Sequence, residues 1–175
     1  VIRMKARVRR LKRLGLTVLG SGIALALTML PAQAIPKAGD LAPAMQLVGS
    51  DGKAFDLARL HGRPTYLNFF ASWCGPCRVE TPSIARLAQR YAARGVSVVG
   101  IDVGEDLSIA RAFRREFNVP YPVLADPDST TRSTYGGGMF FPLHVFIDRA
   151  GVVRLFHPGE MSEAEIERAL ATIAH

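Results

Sequence analysis

The sequence predicts an α/β sandwich built on a mixed sheet, and three observations carry that reading. From Thr65 to Phe117, apolar strand-like runs alternate with helix-periodic ones, which implies parallel strands joined by crossover helices. Apolar runs on both sides of Asp148-Arg149-Ala150-Gly151 read as an antiparallel hairpin that closes the sheet. Asp51-Gly52, set between two further apolar runs, marks another hairpin ahead of the alternating region.

Residues 1–34 stand apart from that fold. They hold seven Lys or Arg and no acid, so the formal net charge of +7 lies entirely there and the rest of the chain is balanced. The basic excess therefore points to no nucleic-acid partner. An apolar stretch, 14–30, follows the basic run and leads into Pro31-Ala32-Gln33-Ala34, whose small residues suit a signal peptidase. The segment reads as a signal peptide cleaved after Ala34. Left uncleaved, 14–30 sits at the lower edge of a bilayer-spanning length and would tether the domain to the plasma membrane. Either way the domain is expected to be exported, periplasmic or otherwise extracytoplasmic. Residues 35–41 read as a short tether, and 42–175 as one domain with its own core.

Within that domain, Met45 to Val48 and Ala54-Phe55 form the N-terminal hairpin, and a helical turn over 56–60 ends at Gly62. Thr65 to Phe70 is apolar almost throughout, as expected of a strand covered on both faces. The helix after it carries Val79, Ile84, Leu87, Ala88 and Tyr91 and stops at Arg94-Gly95, with Pro82 expected to kink it. A second buried strand covers 96–101, and a helix from Leu107 to Phe117 places Ala110, Phe113 and Phe117 on one face. Val123-Leu124, close after Pro120 and Pro122, is expected to be a short edge strand, with a polar helical turn near 129–135. The hairpin strands 143–147 and 152–156 follow. Ser162 and Glu165 then form a capping box for a last helix that buries Ile166, Leu170 and Ile173.

The only two cysteines, Cys74 and Cys77, fall where the strand hands over to the helix. The unpaired N–H groups and positive dipole end of a helix N-terminus favour the thiolate of Cys74, which is the nucleophilic form. Cys77, one turn on, can resolve a mixed disulfide formed by Cys74. Gly75 and Pro76 suit the first helical turn, where a missing N–H costs nothing. A zinc site would need a second ligand pair, and the four histidines, His61, His144, His157 and His175, are scattered. A purely structural disulfide closing so small a loop would stabilise weakly. The pair therefore reads as a redox centre that needs neither metal nor cofactor.

Trp73-Cys74-Gly75-Pro76-Cys77 is identical to the thioredoxin active-site motif. With Pro43, Asp51-Gly52-Lys53, Gly62, Asn68-Phe69, Arg78, Glu80, Pro82, Pro142 and Phe146-Ile147-Asp148, the chain resembles the TlpA/ResA-like thioredoxin family. The resemblance runs from Gly39 to the C-terminus. It implies a thioredoxin-like three-layer sandwich with an added N-terminal β-hairpin, and a secreted or membrane-anchored thiol–disulfide oxidoreductase. Asn68 stands where cytosolic thioredoxin has a buried acid. By the resemblance Glu80 takes over proton handling near Cys77, whereas read by itself it is a solvated helix glutamate. Phe141-Pro142 looks like the family's cis-proline dipeptide, which with Trp73 would bind an extended substrate.

The chain departs from the family around that dipeptide. Gly136-Gly137-Gly138-Met139-Phe140-Phe141 suggests a flexible apolar lip for a peptide partner, with at least one of its large side chains expected in the core. Leu143-His144 stands where Thr or Glu followed by Thr is common. His144 reads as a strand histidine directed at solvent or at a satisfied partner, against a metal ligand or proton carrier near the cysteines.

By resemblance the expected activity is reduction of protein disulfides, for example in cytochrome c or respiratory oxidase maturation, with a membrane thiol–disulfide electron donor. Two alternatives use the same residues. One is a Cu(I) chaperone, against which the two-residue spacing argues, and the other is a disulfide-forming oxidase, which only the redox potential separates from a reductase.

Overall fold

The computed structural model describes residues 35–175. The signal-peptide and membrane-anchor readings for 1–34 lie outside the described residues. Among the described residues no helix is long and apolar enough to cross a membrane.

Seven strands form one sheet. They are β1 (Gln46–Gly49), β2 (Ala54–Asp56), β3 (Thr65–Phe70), β4 (Ser97–Val103), β5 (Val123–Asp126), β6 (Leu143–Ile147) and β7 (Val153–Pro158), in the spatial order β2-β1-β5-β4-β3-β6-β7. Pairing is parallel for β3–β4 and β4–β5 and antiparallel elsewhere, so the sheet is mixed as expected. The helices are α1 (Gly75–Ala92), α2 (Leu107–Glu116), α3 (Thr131–Tyr135) and α4 (Glu163–Ile173), with a 3₁₀ turn at Leu57–Leu60.

Alternation along β3 builds the two apolar layers. Tyr66 and Phe70 face one core, shared with Ile84 and Leu87 of α1, Phe113 of α2 and Ile166 and Leu170 of α4. Leu67 and Phe69 face the other, closed by Leu57 of the 3₁₀ turn and Tyr135 of α3. All six residues of β3 are buried, which is why its sequence is nearly all apolar. This strand, buried on both faces, fixes the place where α1 begins.

Helix α1 is continuous through Pro82. Its end is set by Gly95, whose φ of +79° suits glycine and whose N–H donates to the Ala92 carbonyl. Helix α4 has the predicted capping box, with Ser162 and Glu165 bonded reciprocally.

One expectation is corrected. β5 is not an edge strand: it lies between β1 and β4, and all four of its residues are buried. The N-terminal hairpin covers it, with Val48 opposite Ala125 and Gly49 opposite Leu124. Pro122 precedes the strand and serves it as an acceptor, taking the Gly100 N–H at 2.9 Å.

Candidate active site

The end of β3 and the start of α1 place the two cysteines. Cys74 is the N-cap residue of α1, and it is joined to Cys77 by a disulfide with Cα atoms 5.3 Å apart. The Cys77 N–H points at the Cys74 Sγ at 3.3 Å, so an orphan amide of the first turn already faces the sulfur that would carry negative charge. Gly75 and Pro76 fill that turn as predicted. Both cysteines are buried, while Trp73 beside them is 71% exposed.

Two contacts hold the approach to the dithiol. Ser72, two residues before Cys74, donates its N–H and its hydroxyl to the two oxygens of Glu105, at 2.5 and 2.7 Å. Arg78 donates to the Ser72 carbonyl at 3.1 Å, lies over the Phe117 ring and pairs with Glu116. The active-site loop is thereby tied to α2 and to the loop that precedes it.

Behind Glu105 stands Asp102, fully buried on β4 opposite Phe70. Burial pushes its carboxyl up to about 8, and the neighbouring Glu105 carboxylate adds to the effect; neither Asp102 oxygen has a hydrogen-bond partner among the described residues. Burial also acts to raise Glu105. The nearby Asp102 and the two bonds from Ser72 outweigh that and hold it low. The proton of the pair therefore resides on Asp102. Neither acid was anticipated from the sequence, although a lone Asp between Ile101 and Val103 in a buried strand is a visible signal.

On the other side of the dithiol, Glu80 is 8% exposed, not solvated. Its Oε1 accepts the Met161 N–H at 2.6 Å. Burial pushes its carboxyl up to about 7; the Met161 bond opposes this, and the nearby Glu160 charge adds to it. His144 is completely buried, so the solvent-directed reading is set aside, and its Nδ1 lies 2.7 Å from the Tyr66 hydroxyl. Burial lowers the imidazole to about 3, His157 adds to this, and the Gly159 carbonyl pulls the other way. His144 is neutral in the fold.

The Phe141–Pro142 bond is cis. Phe141 packs edge-on against Trp73 with ring centroids 5.6 Å apart, which brings the proline loop to the dithiol. Of the lip residues, Phe141 packs against the core, while Met139 and Phe140 are exposed. The glycines before them have steric reasons rather than slack. Gly136 is the left-handed cap of α3, and a Cβ at Gly137 would meet the Thr131 Oγ1 at 2.4 Å.

Comparison with known proteins agrees with this geometry. The Redoxin family matches residues 37–172. The thiol-disulfide oxidoreductase ResA of Geobacillus thermodenitrificans is 30% identical over 135 residues, 77% of each chain, and that of Bacillus subtilis 31% over 128 residues, 73% of this chain and 71% of the other. Among solved structures, a thioredoxin-family thiol:disulfide interchange protein from Chlorobium tepidum superposes with a TM-score of 0.70 at 32% identity, covering 81% of this chain and all of that one. A secreted Mycobacterium tuberculosis disulfide oxidoreductase superposes at 0.66 and 27%, covering 73% and 95%. With the cysteine pair seated at a helix N-terminus beneath a cis-proline loop, the chain belongs to the Redoxin family as a thiol–disulfide oxidoreductase of the ResA and DsbE type.

Proposed function

We propose that the chain is an extracytoplasmic protein-disulfide reductase. In its reduced form the Cys74 thiolate attacks a disulfide of the partner, forming a Cys74–partner disulfide and releasing the partner's other sulfur as thiolate. Cys77 gives its proton to the Glu80 carboxylate, and its thiolate attacks the Cys74 sulfur. The second partner sulfur leaves, and the Cys74–Cys77 disulfide is restored. Two electrons have passed from the dithiol to the partner, and a membrane thiol–disulfide donor returns them.

The observation that carries this reading is the Cys74 sulfur at the N-cap of α1, with the Cys77 amide facing it beside the exposed Trp73. Glu80 supports the resolving step, because a buried carboxyl near neutrality can take a proton and return it. The exposed Met139 and Phe140 suit an extended peptide with apolar side chains laid along the cis-proline loop. The basic and apolar segment at 1–34 supports export, and the resemblance to the TlpA/ResA-like family suggests substrates such as apocytochrome c or a respiratory oxidase copper site.

Titration of the Cys74–Cys77 couple against defined thiol buffers tests the direction. A potential at or below about −250 mV is the expected result, and one above about −150 mV would make the protein an oxidant of its partners.

A further inference from the structure

A line of buried polar side chains runs behind the disulfide from β3 through β6 to α1. Tyr66 and Asn68 stand on β3, and Asn68 pairs in register with His144 on β6. The Nε2 of His144 lies 3.4 Å from the Oε2 of Glu80. Neither atom has a hydrogen-bond partner among the described residues, and both are shut off from solvent. Two orphaned polar atoms facing each other in an apolar core would be costly unless the pairing has a use.

One tautomer of the neutral imidazole serves both contacts. A Tyr66 hydroxyl donating to Nδ1 at 2.7 Å leaves the single hydrogen of a neutral imidazole on Nε2, where it faces Glu80. The hydroxyl can keep that role because burial pushes Tyr66 well above its ordinary range.

We propose that His144 is a positioning residue for Glu80: locked by Tyr66, it presents an N–H to the carboxylate and holds it ionised, ready to receive the Cys77 proton. This rests on the proton role of Glu80 proposed above. In the step itself the Cys77 S–H bond breaks and an O–H bond forms on Glu80. The sulfur's electron pair makes the new S–S bond to Cys74, and the partner's sulfur departs with the pair of the bond it loses. His144 takes no part in the electron transfer; it sets the pH at which Glu80 is available.

The groups that bear on this pH come from every element around it. Burial and the Glu160 charge between β7 and α4 oppose the carboxylate and the Met161 N–H favours it; the proposal adds the His144 N–H, whose Nε2 lies 3.4 Å away, on the favouring side. His144 is itself faced by Tyr66 on β3, by His157 on β7 with ring centroids 6.1 Å away, and by the Gly159 carbonyl. His157 stays beside the Glu160 carbonyl at 3.3 Å and leaves the Glu80 contact to His144.

The test is the pH profile of mixed-disulfide resolution, followed as release of a chromophoric thiol from Cys74 in the full chain. Wild type, Glu80→Gln, His144→Ala, His144→Gln and Tyr66→Phe are compared. The expected midpoint for His144→Ala lies about one pH unit above wild type, so the rate below the midpoint falls about tenfold, as for losing one hydrogen bond to a charged group. His144→Gln, whose amide can supply an N–H, restores most of the loss. Tyr66→Phe keeps the ring packing, removes the lock and moves the midpoint the same way by less, so the inference stays testable if His144→Ala does not fold. A midpoint that Glu80→Gln abolishes but that neither His144→Ala nor Tyr66→Phe moves would overturn the role of His144 alone. A profile unchanged in Glu80→Gln would overturn the role of Glu80 and this inference with it.

Discussion

Ser72 gives both its backbone N–H and its hydroxyl to the carboxylate of Glu105, so the residue two before Cys74 is gripped from the loop after β4. The grip keeps Glu105 ionised and leaves the proton of the acid pair on Asp102. The two acids thus divide one proton between a buried site and a working one.

That division predicts a pH dependence of stability. Asp102 is raised to about 8 in the fold, against about 3.9 in an unfolded chain. Between those values the native state holds a proton that the unfolded state releases, so stability falls as pH rises through this window. Asp102→Asn, which mimics the protonated form, should remove this contribution. Its melting temperature should exceed that of wild type by on the order of 5 °C at pH 8, with the gap closing toward pH 4. A gap that stays constant from pH 4 to pH 8 would contradict the assignment of the proton.

Glu80→Gln should slow mixed-disulfide resolution by about a hundredfold above pH 7, the scale of a lost general base. Glutamine keeps an acceptor for the Met161 N–H, so the fold should be undisturbed. Stopped-flow release of the partner thiol reads the rate, and thermal melting checks the fold. Equal rates in the two proteins would mean that the Cys77 proton leaves by another route.

Phe140→Ser should raise the KM for disulfide-bonded peptides about fivefold and leave the reduction of a small aliphatic disulfide unaltered. The ring is 54% exposed, so only part of its apolar surface is available to a bound peptide. Equal effects on both substrates would place the disturbance in the dithiol rather than in the lip.

Much of this architecture is legible in the chain because its signals are local. The apolar run 65–70, the Asp-Gly turn and the Ser162–Glu165 cap each specify a few neighbouring residues, and each appears where expected. β5 does not, because whether a strand lies at an edge depends on a partner far away in sequence: β1 returns to pair with it. His144 and Glu80 likewise look like an ordinary strand histidine and helix glutamate. Their burial follows from three elements meeting behind the disulfide, and no single window of sequence contains that meeting. Asp102 was detectable as a charge inside an apolar strand, but its pairing with Glu105 depends on how the loop after β4 turns back.

The placement of the N-terminal segment has a further effect at the rims of the sheet. Exposed strand rims offer unpaired amides and carbonyls as templates for another molecule, and a thiol–disulfide oxidoreductase whose partners are proteins meets many candidates for such pairing. On one side the rim is β2, only three residues long. On the other, Gly39, Asp40 and Ala42 bond along the Gly151–Val153 stretch, and β7 ends at Pro158, which has no amide to offer. One rim is short and the start of the other is covered, so extended pairing there competes less with the loop beside the cysteines.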